Sequence, residues 1–344
     1  MTNEPGSIKC VVWDLDNTIW DGILLEDEHV TLRDNVESSI KALDHRGILH
    51  SIASKNDHNT AIQKLDELGL GDCFLYPQIN WNSKVESIKK IAQSINIGIG
   101  SIALIDDDPF ERDEVKFSLP DVLCIDAAEV RELESMPIMN PKYVTEDSRL
   151  RRQMYISDIA RNEVEERYEG PKESFLASLG MVLEIFPAQE EDLQRAEELT
   201  VRTHQLNATG VTYSYDELNH FRQSEEYLLL MTRLKDKYGS YGHIGLALIE
   251  RGKALWIIKL LLMSCRVMSR GIGSIMITHI INLAREHNAG LQAHFVPNDR
   301  NRMMNITFRF AGFYEANRDG NLVILQHDPT RIPKLPEHVN LVLK

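Results

Sequence analysis

Ile8-Lys9-Cys10-Val11-Val12-Trp13-Asp14-Leu15-Asp16-Asn17-Thr18, residues 8–18, is the stretch on which the fold turns. Its first six residues are apolar or β-branched almost without a break, the pattern of a parallel strand buried on both faces. The run stops abruptly at Asp14-Leu15-Asp16. Ligands of open parallel sheets bind beyond the carboxyl ends of the strands, so two carboxylates just past a strand mark that edge as a candidate site.

Outward from this stretch the alternation repeats. A helix is expected over Asn35 to His45, with Gly47 as its stop. A second strand, Ile48 to Ala53, ends in Ser54-Lys55-Asn56. A helix from Asn59 to Leu68 ends near Gly69, another runs from Ser83 to Ile95, and a strand from Ser101 to Ile105 ends in Asp106-Asp107-Asp108. Strands alternating with helices predict a doubly wound α/β sheet. Asp14, Asp16, Ser54, Asp106 and Asp107 then converge on one edge although they are far apart in sequence.

The residue types suit phosphoryl chemistry. Asp14 can attack phosphorus and form an aspartyl phosphate, dividing a hard hydrolysis into two steps. Asp16 can protonate the leaving group and then activate water. Ser54 can hydrogen-bond a phosphoryl oxygen, and Lys84, in Asn80-Trp81-Asn82-Ser83-Lys84, can offset its charge and that of Asp14. Carboxylates this close repel each other and an incoming phosphate, which calls for a hard, oxygen-seeking cation; Mg²⁺ meets that need. Asp14, Asp106, Asp107 and Asp16 (through its backbone carbonyl) are its expected ligands, with the choice between direct contacts from Asp106 or Asp107 left open.

Composition sets the outer limits. The chain has 344 residues, 43% hydrophobic and 26% charged, which is globular and long enough for two domains. No run of roughly 18 apolar residues occurs, and the first residues lack the basic and apolar halves of a secretory signal. Neither a membrane partner nor a secreted location is expected. Cys10, Cys73, Cys124 and Cys265 are too few and scattered for a disulfide framework, in keeping with a reducing, cytoplasmic setting. A net charge of −14 argues against general nucleic-acid binding.

The second half alternates again. Strands are expected at Met181–Phe186, Tyr227–Leu234, Tyr241–Glu250, Leu255–Met263 and Gly290–Val296, with helices at Glu190–Arg202 and from Gly271 to Ala284. The charged stretch between the halves reads as a helical connector. The domain expectation is therefore residues 1–130, a connector at 131–172, a second domain at 173–330 and a tail at 331–344, whose Pro-rich part, Ile332-Pro333-Lys334-Leu335-Pro336, is expected on the surface.

The blocks Trp13 to Gly22, Ser54-Lys55-Asn56-Asp57, Asn80 to Lys84 and Ile105-Asp106-Asp107-Asp108-Pro109-Phe110-Glu111-Arg112 together resemble the haloacid dehalogenase superfamily of phosphotransferases. Arg202-Thr203-His204-Gln205-Leu206-Asn207 and Ser264-Cys265-Arg266-Val267-Met268-Ser269-Arg270-Gly271 extend the resemblance to the FkbH-like proteins of polyketide biosynthesis, over about Ile8 to Phe313. That resemblance implies a Rossmann-like haloacid dehalogenase domain joined to a GNAT-like α/β domain. It also implies an activity: 1,3-bisphosphoglycerate is dephosphorylated and its glyceryl unit is delivered as a thioester to a phosphopantetheinylated acyl carrier protein. Thr18 and Asn56 fall in the phosphate-site blocks as substrate-binding candidates. Many such proteins carry Cys just before the Ser-Lys-Asn block, where this chain has Ala53.

Arg270-Gly271-Ile272-Gly273, between a strand and a long helix, resembles the pyrophosphate loop of GNAT acetyltransferases, although Met268 stands where Gln or Arg is usual. Glycines admit a phosphate to the backbone and a helix N-terminus favours its charge. A carrier's phosphopantetheine arm is similar to the tail of coenzyme A and is an expected occupant. Cys265, beside this loop and next to Arg266, is the candidate protein thiol; direct attack by the carrier's own thiol is the open alternative. His204 and Asn207 are candidates for the transfer site, and Arg300 and Arg302 for a phosphate. Two other functions remain open on this reading: a Mg²⁺-dependent phosphatase whose second domain only binds, and a carrier-docking module without catalysis.

Overall fold

The computed structural model describes residues 8–203 and 206–344. The chain divides into two compact units, Met1–Ile156 and Ser157–Lys344, each described by itself.

In the first unit the order is β1 (Cys10–Trp13), β2 (Trp20–Asp21), β3 (Thr31–Leu32), α1 (Val36–His45), β4 (Leu49–Ser54), α2 (His58–Glu67), β5 (Gln78–Ile79), α3 (Lys84–Ile95), β6 (Ile102–Asp106), α4 (Pro109–Ser118) and β7 (Leu123–Asp126). α5 (Glu146–Arg149) follows, and the division between the units falls within α6 (Arg151–Glu166). The main sheet is parallel throughout, in the order β5-β4-β1-β6-β7. β1, β4 and β6 are buried along their whole length; β1 and most of β6 are accordingly apolar without alternation, whereas β4 also buries His50, Ser51 and Ser54. The expected doubly wound sheet is present. The 3₁₀ turns at Ala127–Ser135 and Pro137–Met139 place Val130, Leu133 and Met139 in this unit's core.

In the second unit, α7 (Lys172–Ser178), β8 (Met181–Pro187), α8 (Leu193–Arg202), α9 (Tyr215–Gln223), β9 (Tyr227–Asp236), β10 (Gly239–Arg251), β11 (Leu255–Met263), α10 (Ile272–Glu286), β12 (Gly290–Phe295), α11 (Arg302–Phe310), β13 (Phe313–Asp319), β14 (Leu322–His327) and β15 (Val339–Leu343) follow. They form one mixed sheet, β13-β14-β12-β11-β10-β9-β8-β15. β10 and β11 are antiparallel and β12 runs parallel to β11. The two units are thus both α/β.

Within the residues expected as a tail, Val339–Leu343 forms β15, paired in parallel with β8 from Val339↔Met181 to Leu343↔Ile185. Five residues rich in Val and Leu satisfy the backbone groups that the edge of β8 would otherwise leave without partners.

Between β1 and β4 runs a buried relay. The Trp13 indole Nε1 donates to His50 Nδ1 at 3.0 Å, and His50 Nε2 lies 3.0 Å from the Ile40 carbonyl. These partners place the ring's proton on Nε2. Burial pulls the His50 pKa down to about 3. In the unfolded chain an exposed His takes up its proton near pH ~6.5, whereas the folded ring does so only near the depressed value. Stability from this residue is therefore complete above the unfolded pKa and is lost as pH falls through the window down to about 3. We expect His50→Gln to flatten the pH dependence of urea unfolding between about pH 8 and about pH 5, removing about 2 kcal/mol of the wild-type decline; parallel profiles for the two proteins would refute the relay's role.

Candidate active site

β1 and β6 are neighbours, and the ladder runs one residue past β1, where Asp14 N–H donates to the Ile105 carbonyl at 2.9 Å. Asp14 and Asp106 therefore come side by side at the carboxyl edge, both buried. Lys84 reaches the same point from another direction. Ser83 caps α3, accepting from Glu86 N–H at 3.3 Å, and this fixes Lys84 as the helix's first residue. Lys84 is only 4% exposed, and its ammonium pairs with Asp14 Oδ1 at 2.9 Å and with Asp106 Oδ2.

Burial pushes the Asp14 carboxyl up to about 7, against the pull of Lys84, with Asp106 adding to the rise. Burial likewise raises Asp106, again opposed by Lys84. For Lys84 burial works downward, but the two carboxylates outweigh it and hold the ammonium above its usual range. Ser54, at the end of β4 and also buried, hydrogen-bonds the Asp14 carboxylate. Thr18, fully buried, donates to Asp107 Oδ1 at 3.4 Å.

Asp14, Asp106 and Asp107 present ligand oxygens within 4.8 Å of one another. Three carboxylates against one ammonium leave a formal excess of two negative charges, all on oxygen, which fits a hard divalent cation. The carboxylate of Asp16 stands outside this group. Its Oδ1 accepts from Trp20 Nε1 at 2.7 Å and Leu24 N–H at 3.0 Å, and its Oδ2 from Asn56 Nδ2 at 3.0 Å. Asn56 thus meets Asp16. Asp108 does not join the cluster either: it caps α4, accepting from Phe110 N–H at 2.8 Å, while its own N–H donates to Asp106 Oδ1 at 2.9 Å. Pro109 directly after Asp108 is the sequence signal for that cap.

Three supporting residues emerge only with the fold. Arg112 donates to the Asp106 carbonyl at 2.7 Å and to Asp126 Oδ2 at 2.6 Å. Lys55 pairs with Glu111 at 2.5 Å, tying the segment after β4 to α4. Trp20, fully buried, holds Asp16 as described. A cleft of about 490 Å³ beside Thr18 is bounded by Asp21, Arg33, Ala127 and Arg131; Arg33 pairs with Asp21 at 3.1 Å and Arg131 with Asp34 at 3.8 Å.

No protein-family model and no curated protein matches the chain. Among solved structures it is similar to the N-terminal part of the protein BF1531 from Bacteroides fragilis, which contains a phosphatase domain and is complexed with Mg; identity is 30%, covering 37% of this chain and 39% of that one, with a TM-score of 0.33. It is also similar to the GNAT domain of S. lividans PAT (18% identity, 42% of this chain, 89% of that one, TM-score 0.34). A third similarity is to the aminoglycoside acetyltransferase AAC(6')-Ib in complex with coenzyme A (14% identity, 43% and 96%, TM-score 0.35).

In the second unit, β11 leads through a 3₁₀ turn, Cys265–Arg270, into α10. Gly271 has φ +74°, a left-handed conformation that favours glycine, with open space where a Cβ would sit. Gly273 lies beside it near Thr307, which a Cβ would approach to 3.6 Å. Arg270 is turned inward: its guanidinium pairs with Glu165 at 2.7 Å and lies over the Phe175 ring. Its charge is therefore offset internally. Cys265 is half-buried, and none of the four cysteines forms a disulfide. Asn207 is buried, its amide oxygen accepting from the N–H groups of Thr209 at 3.1 Å and Gly210 at 2.8 Å. His204 lies outside the described residues. Arg300 and Arg302 are exposed.

Removing the ammonium tests this arrangement. Lys84→Met leaves two buried carboxylates facing each other, and should cost about 3–5 kcal/mol in urea unfolding. Millimolar Mg²⁺ should recover part of that loss. A variant as stable as the wild type without cation would contradict the charge balance described.

Proposed function

We propose that this protein is an enzyme coupling Mg²⁺-dependent phosphatase chemistry in its first unit to acyl transfer in its second. More specifically, we read it as an FkbH-like glyceryltransferase/phosphatase acting on 1,3-bisphosphoglycerate and loading the glyceryl unit on an acyl carrier protein. The observation that carries the phosphatase half is the meeting of Asp14, Ser54, Lys84, Asp106 and Asp107, from four separate segments, in one cluster of which all but Asp107 are buried.

The reaction follows from that cluster. Asp14 attacks phosphorus, a P–O bond forms to its carboxylate, and the bond to the leaving oxygen breaks as Asp16 supplies a proton. Asp16 then takes a proton from the water that cleaves the aspartyl phosphate, returning Asp14 and releasing phosphate. Ser54 and Thr18 hydrogen-bond the phosphoryl oxygens, and Lys84 offsets the charge that develops on them. Asp14, Asp106 and Asp107, with the Asp16 carbonyl, would hold the Mg²⁺, which supplies further charge compensation when bound.

For acyl transfer, a thiolate displaces phosphate from the acyl phosphate, forming the C–S bond as the C–O bond to phosphate breaks. Cys265 or the carrier's own thiol fills that role, and the resemblance of the Gly271–Gly273 loop to a pyrophosphate loop supports a phosphopantetheine site beside it. A second reading, a phosphatase whose second unit only binds, is favoured by the inward turn of Arg270 onto Glu165.

Asp14→Asn should lower phosphate release by several orders of magnitude with the fold retained, and complete chelation should abolish it; near-normal release from the variant defeats the nucleophile role of Asp14, and near-normal release after chelation defeats the metal requirement. Intact-mass analysis of holo carrier protein incubated with 1,3-bisphosphoglycerate, Mg²⁺ and the enzyme should show glyceryl addition. Phosphate release without acylation would leave the binding-only reading. Cys265→Ser should keep phosphate release and lose loading if a protein thioester forms, whereas loading at the normal rate assigns the attack to the carrier thiol.

A further inference from the structure

An ionised carboxylate offers about four acceptor positions. On Asp16 three are filled: Trp20 Nε1 and Leu24 N–H take Oδ1, and Asn56 Nδ2 takes Oδ2. The orientation of Asn56 is itself fixed, since its Oδ1 accepts from Asp57 N–H at 2.9 Å and so turns Nδ2 toward Asp16. Among the described residues no partner takes the fourth position, on Oδ2. Trp20 is fully buried and Asn56 only 2% exposed, so neither donor swings freely.

We propose that Trp20 and Asn56 are positioning residues for Asp16: they confine its transferable proton to a single direction, and so suit the site to phosphate esters whose leaving oxygen needs protonation. This rests on the phosphatase reading above, in which Asp16 protonates the leaving group. The chemical consequence is specific. An alkyl phosphate leaves as a strongly basic alkoxide unless a proton is delivered as the P–O bond breaks. An acyl phosphate leaves as a weakly basic carboxylate and needs little help. Loosening Asp16 must therefore damage the first reaction more than the second.

The test compares glycerol phosphate and acetyl phosphate with Mg²⁺ in the full-length chain, reading kcat/KM, which covers only the steps up to departure of the leaving group. Trp20→Phe keeps a large aromatic ring and deletes the indole N–H; Asn56→Ala deletes the other side-chain donor. Each variant should shift the ratio of the two kcat/KM values against glycerol phosphate by about tenfold or more, since general acids contribute roughly 10²–10⁴-fold. Thermal melts accompany both, and the Asn56 variant decides the matter if the Trp20 variant is unfolded. Equal losses on both substrates, or no loss on either, would overturn the positioning role while leaving the phosphatase assignment intact. A wild type that hydrolyses neither compound would overturn that assignment, and the positioning role with it.

Discussion

The first unit is organised around one ammonium held between two buried carboxylates. Asp14 and Asp106 are neighbours because β1 and β6 are neighbours in a parallel sheet, and no rearrangement short of unpairing the strands separates them. Their repulsion at the low-dielectric edge is balanced by Lys84, which the Ser83 cap fixes at the first residue of α3. The segments after β4 and β6 are then shaped around this point: Ser54 bonds Asp14, Lys55 ties its segment to Glu111, and Arg112 secures the Asp106 carbonyl. A pair of carboxylates in such a place is a standing cost to the fold, and sites built for chemistry are where such costs concentrate.

The second unit has its own buried charge system. Arg161, fully buried, makes a two-pronged pair with Asp236, Nε to Oδ2 at 2.7 Å and Nη2 to Oδ1 at 3.1 Å. It also stacks over Tyr241 at 3.8 Å, whose hydroxyl donates to the same Asp236. Planar guanidinium geometry allows both contacts at once, which a lysine would not. The register between β11 and β12 ends at Ile258↔Ala293, and beyond it residues 206–208 fill the gap: Ala208 N–H donates to the Leu261 carbonyl, Met263 N–H to the Leu206 carbonyl and Val296 N–H to the Ala208 carbonyl, each at 2.9 Å. Asn301 Nδ2 locks this segment through the Asn207 and Val296 carbonyls, at 3.1 and 2.8 Å. The buried Asn207 and Asn301 thus secure backbone at the place where two strands part.

Much of this was legible in the chain. Apolar-rich runs ending at Asp14, Ser54 and Asp106 are a local signal, because a strand buried on both faces leaves little room for alternation, although β4 buries His50 and Ser51 within its run. The strands and helices expected for both halves appear with ends shifted by at most three residues, the largest shift being at α8, which begins at Leu193 after a 3₁₀ turn at Glu190–Asp192. What escaped were the two-residue strands β2, β3 and β5, the helices α4, α7, α9 and α11, and β13 to β15. Short strands on a sheet edge are selected by the backbone partners they find, not by their own composition.

By itself the sequence determined the alternation of strands and helices, the carboxyl-edge position of the acidic residues and the chemistry their types permit, since each follows from near neighbours in the chain. Only the tertiary structure decided which charges meet. That Lys84 is shared by Asp14 and Asp106, that Asp16 turns to Trp20 and Asn56 instead of joining the three-carboxylate cluster, and that Arg270 folds back on Glu165 depend on residues up to 105 positions apart. A charged side chain has several partners of equal chemical merit in a sequence, and burial in the folded chain leaves it only the ones within reach.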